Sequence, residues 1–173
     1  MMDATEAKKI TAAVLFVATV PLANWMIGNV GECVPNGPCV VPVGFGLMAP
    51  SGVMIVGITL VLRDWLQELT SWRWSLLMII IGAGLSWFVN PAVAAASMAA
   101  FAASEIADMA VYTPMRKLSR SAAVVVSGVV GATLDSFLFL YLAFGAVDYW
   151  QGNALGKLYA SVVVAVVLMA RRR

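Results

Sequence analysis

Long apolar blocks alternate with short polar joints along almost the whole chain. Six blocks stand out, over residues 10–28, 43–62, 74–89, 92–113, 122–146 and 154–170. A spanning helix needs about 20 largely apolar residues, within a range of about 17–25. The third block is short, so its ends call for snorkelling by Arg73 and anchoring by Trp72 and Trp74. Lipid cannot satisfy open backbone N–H and C=O groups, so each block is predicted to be a helix. The expected fold is all-α: one polytopic membrane domain over residues 1–173 with six transmembrane helices. Asp3 and Glu6 precede the first block and further spans follow it, which argues for a retained helix and against a signal peptide.

The basic residues orient this bundle. Lys8 and Lys9 precede the first helix, Arg63 and Arg73 bound the second joint, and Arg116, Lys117 and Arg120 fill the fourth. Arg171, Arg172 and Arg173 end the sequence, while the first, third and fifth joints hold no Lys or Arg. Basic residues accumulate on the cytoplasmic side, so both the N and C termini are predicted to be cytoplasmic. An odd helix number would scramble this alternation. Asn90-Pro91 leaves almost no loop between the third and fourth helices, which predicts a tight hairpin.

Composition agrees with the pattern. The chain is 62% hydrophobic and only 12% charged, with a mean hydropathy of +0.91. Too little polar surface remains to coat a water-facing globule. A net charge of +2 gives no reason to expect a nucleic-acid partner. Histidine is absent, which removes the common triads and the usual zinc ligands; no metal, cofactor or enzyme activity is expected. Cys33 and Cys39 flank Pro35-Asn36-Gly37-Pro38, turn chemistry that would bring two thiols together. They form a disulfide in an oxidising compartment or stay as two free thiols.

Four ionisable residues fall inside the spans: Glu105, Asp108, Asp135 and Lys157. A charge at the bilayer centre costs about 2.5–3.5 kcal/mol on insertion scales, so such residues face a bundle interior or a wet cavity. At about 1.5 Å per residue, Glu105 sits roughly 13 Å, and Asp135 roughly 20 Å, from the cytoplasmic ends of their helices. Ser97, Phe101, Ser104, Glu105, Asp108 and Tyr112 follow helical spacing, as do Ser127, Gly131 and Asp135. The acids are therefore expected to face the interior, opposite Lys157. A buried pair that only fixes register is the bland alternative. Three acids against one base point instead to a polar substrate site with a carboxylate able to carry a proton. Gly44, Gly46, Pro50, Ser51 and Gly52 predict an irregular outer half of the second helix, as broken helices occur at transporter sites. Pro21 and Asn24 disturb the first helix in the same way. Arg63-Asp64 reads as a surface ion pair or as a gate partner for Asp108 or Arg116.

The stretch Ser104-Glu105-Ile106-Ala107-Asp108 and the stretch Leu134-Asp135-Ser136, with Arg63-Asp64 and Lys157, resemble the VUT family of vitamin uptake transporters. The resemblance runs roughly over residues 44–166, and Gly128 stands where the family pattern leads one to expect Asn. It implies import of queuosine precursors, the 7-deazaguanines preQ0, preQ1 or queuine, across a bacterial inner membrane. The implied substrate-binding set is Glu105, Asp135, Lys157, Ser104 and Asn24, with Asp108, Arg63 and Asp64 as proton-coupling or gate residues. No phosphate-binding glycine loop is present, so transport is expected to be secondary, driven by protons or by intracellular trapping. A binding subunit of a multi-component vitamin importer and a non-transporting membrane scaffold are the alternatives. The expected partners are a small planar heterocycle and the bilayer. A homodimer would add wall around the solute path of so small a bundle.

Overall fold

The computed structural model describes residues 3–115 and 117–171. Among them six α-helices run in the predicted order: α1 (Ala4–Asn29), α2 (Val53–Leu69), α3 (Trp72–Val89), α4 (Pro91–Met115), α5 (Arg120–Phe144) and α6 (Trp150–Arg171). Four stretches are long and apolar enough to cross a membrane: Thr5–Asn29, Trp72–Val89, Pro91–Met115 and Val126–Phe144. The helix ends obey local chemistry. Asn90 closes α3 and caps α4, accepting from the Val93 N–H at 3.2 Å, and Pro91 takes the first helical turn where its missing donor costs nothing. Ser119 caps α5 by accepting from Ala122 N–H at 3.3 Å. Gly145, at φ 69°, ends that helix two residues before the predicted Ala146.

The all-α expectation needs one correction. Residues 43–50, assigned from sequence to the second helix, form strands. A three-stranded antiparallel sheet joins β1 (Glu32–Cys33), β2 (Cys39–Gly44) and β3 (Leu47–Pro50) in the order β1-β2-β3. The Phe45-Gly46 turn has positive φ at both positions, the backbone of a tight two-residue hairpin. The Gly and Pro residues that suggested a broken helix are thus hairpin and turn residues, and α2 begins only at Val53. Cys33 and Cys39 pair across β1 and β2 and are joined by a disulfide. Ser51 ties the hairpin to α1, its hydroxyl donating to Met26 C=O at 2.6 Å.

The bundle inverts the usual sorting of side chains. On α3 the buried positions are Ser75, Gly82, Ala83 and Ser86, while Leu77, Ile80, Ile81, Leu85 and Phe88 are exposed. Lipid is as apolar as leucine, so membrane helices associate through small residues and leave large apolar ones outside. Trp25, Trp72, Trp74 and Trp87 are likewise exposed, as belt residues are. Two apolar clusters hold the ends together. Ile27, Val93, Ala96, Ala100, Phe139 and Leu140 lie toward the hairpin end; Ala12, Phe16 and Leu66 lie toward the other.

Candidate functional site

Five helices and the hairpin line a small, partly open cavity of about 30 Å³. Its polar lining is Asn24 from α1, Ser97 from α4, Asp135 from α5, and Asn153 and Lys157 from α6. Phe139, one turn beyond Asp135, lends an aromatic ring, and Pro50 and Val53 close the side next to β3.

Lys157 is only 4% exposed, and its ammonium donates to Asp135 Oδ2 and, at 3.2 Å, to Ser136 Oγ. Of the three acids expected opposite Lys157, Asp135 of α5 is the one it contacts. Ser136 is itself wholly buried. The approach of α6 depends on two glycines. A Cβ at Gly152 would strike the Met48 carbonyl of β3, and one at Gly156 would lie 2.7 Å from Val53 Cγ2. Glycines four apart form a flat strip on one helix face, and that strip lets Asn153 and Lys157 reach the cavity.

Asn24 and Asn153 are 5% and 3% exposed, and among the described residues neither side-chain Nδ2 has a hydrogen-bond acceptor. Buried amides are nearly always paired, so two orphans in one cavity mark a polar surface built for something other than packing. Sequence reading named Asn24 but missed Asn153, because Gln151-Gly152-Asn153 looked like loop and α6 in fact starts at Trp150. The signal was available: Asn153 stands one turn from Lys157 on the same face.

The other predicted residues form a second layer. Glu105 does not meet Lys157; its carboxylate accepts from Arg63 Nη1 at 2.6 Å, joining α4 to α2. The Glu105 side chain is 44% exposed and is not among the cavity-lining residues. The Arg63 guanidinium also lies 5.7 Å from the centre of the Phe101 ring. By helix rise this layer is roughly one turn (~5 Å) farther from the hairpin than Asp135 and Lys157. Ser104 is buried, but its hydroxyl donates within α4 to Phe101 C=O at 2.8 Å. Asp108 packs against Gly131, where the small face of α5 lets α4 come close. The side chain of Asp64, and Arg116, lie outside the described residues.

Comparison with curated proteins returns no match, and neither does comparison with solved structures. Residues 87–170 match the family model described as "putative vitamin uptake transporter". That stretch carries the end of α3 and all of α4 and α5, with α6 as far as Ala170, and so includes Asp135, Asn153 and Lys157. With its apolar spans and a family of transporters, the molecule is a multi-pass membrane protein. Over those residues the chain is similar to the family of vitamin uptake transporters.

Proposed function

We propose that this protein is a secondary importer of 7-deazaguanine queuosine precursors in a bacterial inner membrane, with all six helices crossing the bilayer and both termini in the cytoplasm. The observation that carries the reading is the interior Asp135–Lys157 pair at a small cavity, flanked by two buried amides and a phenyl ring. A deazaguanine offers two adjacent N–H donors and a carbonyl acceptor. A carboxylate accepts from both donors in a fork, and an ammonium meets the carbonyl. Asp135 and Lys157 supply that pair once the substrate has parted them. Phe139 stacks on the flat ring; such contacts are worth about 1–3 kcal/mol per base in nucleic-acid systems.

Arg63, Glu105 and Phe101 act as the inner gate. Their contact ties α2 to α4 beyond the cavity, on the side away from the hairpin. Opening requires the Arg63–Glu105 ion pair and the Arg63–Phe101 contact to part, each a modest cost at a half-exposed site. Asp108 and Asp64 stand beside this layer in sequence and are candidate proton carriers.

The test is uptake of labelled preQ0, preQ1 and queuine by cells that lack their own precursor synthesis and importer and express only this chain. Uptake in a host without an ATPase module separates a secondary transporter from a binding subunit. Asp135→Asn is expected to abolish uptake and Glu105→Gln to slow it. Normal uptake by Asp135→Asn at matched membrane level would remove the cavity from the transport path.

A further inference from the structure

We infer that Asn24 and Asn153 are the specificity residues of the cavity and that they select an uncharged, acceptor-rich ligand. This rests on the import reading and narrows its substrate class.

Two observations combine. First, the charged groups lining the cavity among the described residues are Asp135 and Lys157, and they bond to each other. Their formal charges cancel. A charged ligand would bring a net charge into a low-dielectric interior, which is costly unless a counter-charge waits there. A cation would also have to take Asp135 from Lys157, which is 4% exposed and would lose its carboxylate. Second, both orphaned amide atoms are Nδ2, and each carries N–H donors. Donors need acceptors: a ring nitrogen, a carbonyl oxygen or a nitrile nitrogen. An alkylammonium has none to give, since all its hydrogens are donors.

The two arguments agree on one chemical distinction. A 7-deazaguanine bearing a nitrile is neutral and adds an acceptor. The same base bearing an aminomethyl group is a cation and adds only donors. The cavity is matched to the first and mismatched to the second, in charge and in hydrogen bonding.

The roles of Asn24 and Asn153 also separate from a structural one. Ordinary buried asparagines hold the fold through satisfied bonds, and their loss destabilises. Removing an orphaned Nδ2 loses no donor bond among the described residues of the empty protein. Asn24→Ala and Asn153→Ala should therefore leave the melting temperature of purified, ligand-free protein unchanged or raised, and yet weaken binding.

The experiment is calorimetric titration of detergent-purified full-length protein with preQ0, preQ1 and hypoxanthine, a neutral base outside the deazaguanines. The expected result is preQ0 binding at least ten-fold tighter than preQ1, with each alanine variant losing ten-fold or more for preQ0. Should an alanine variant fail to fold, Asn→Ser at the same position supplies the measurement. Equal or tighter binding of preQ1, or full affinity in both variants, overturns the inference. Binding of hypoxanthine that depends on both asparagines, with no deazaguanine bound, supports this inference and overturns the queuosine-precursor reading. Absence of binding by all three bases overturns both.

Discussion

At the scale of single residues, the energetics turn on Asp135 and Lys157. Lys157 is buried and Asp135 partly so, and each charge is held by contact with the other. Removing one partner strands the other, at about 3–5 kcal/mol for a buried pair. Removing both leaves two neutral groups. The expected outcome is that Asp135→Asn and Lys157→Met each sharply lower the detergent melting temperature, while the double variant recovers most of it. If the pair were only a register device, the double variant would also transport. As the substrate contact it should fold and remain inactive. Melting curves and uptake measured on the same three variants decide between them. Arg63 and Glu105 make a contrasting case, because Glu105 is half-exposed and solvent screens the pair. Glu105→Gln should therefore cost little stability, about 1 kcal/mol or less, and its effect should appear in transport rate.

At the scale of elements, α6 and the hairpin fix the cavity together. Gly152 faces backbone of β3 and Gly156 faces the side chain of Val53 on α2. A methyl group at either site overpacks the seam, at about 1–3 kcal/mol. The two lesions should differ in what repairs them. Gly156→Ala is expected to be rescued by Val53→Ala, which removes the opposing methyl groups. Gly152→Ala has a carbonyl opposite it, so no side-chain substitution in β3 should restore stability or uptake. The disulfide holds the same hairpin from its outer edge. Closing so short a loop is worth about 2 kcal/mol in the chain-entropy model. Cys33→Ser should lower stability by about that amount and also weaken uptake, because Pro50 at the end of the hairpin lines the cavity. These elements also show what could be read in advance. The helices were legible because lipid forces apolar length, and the Asn90-Pro91 joint because its chemistry is local. That an interior acid faces Lys157 was legible because an interior charge needs a partner, but which of Glu105, Asp108 and Asp135 it would be was not. The hairpin was not, since Val40, Val41 and Val43 are as apolar as a helix, and pairing across a Phe45-Gly46 turn is not a helical signal. Nor was the partner of Glu105, because periodicity gives a face of α4 and cannot tell whether α2 or α6 lies against it.

At the scale of the whole molecule, α2 poses the sharpest question. Its 17 residues rise roughly 26 Å, less than the ~30 Å hydrocarbon core, and they carry Arg63, Asp64 and Glu68. Alone it would be a poor span. It is packed against α1 and α6 and is continued on one side by the hairpin. If α2 and α6 both cross, the hairpin and the loop after α5 share one side of the membrane, and Lys117 and both termini share the other. If α2 does not cross, the N-terminus changes sides relative to the hairpin-distal loops, and Lys8 and Lys9 part company with Arg116, Lys117 and Arg120. Single cysteines in a Cys33→Ser/Cys39→Ser background distinguish these arrangements. The expected outcome is labelling of Asn36→Cys and Asp148→Cys by an impermeant maleimide in intact cells. Asp3→Cys and Lys117→Cys should label only after the membrane is opened. Labelling of Lys117→Cys from outside would refute the orientation set by the basic residues. Labelling of Asp3→Cys from outside, with Lys117→Cys protected, would mean an odd number of crossings. The wall formed by α2 around Asp135 and Lys157 could not then take its proposed place within the bilayer.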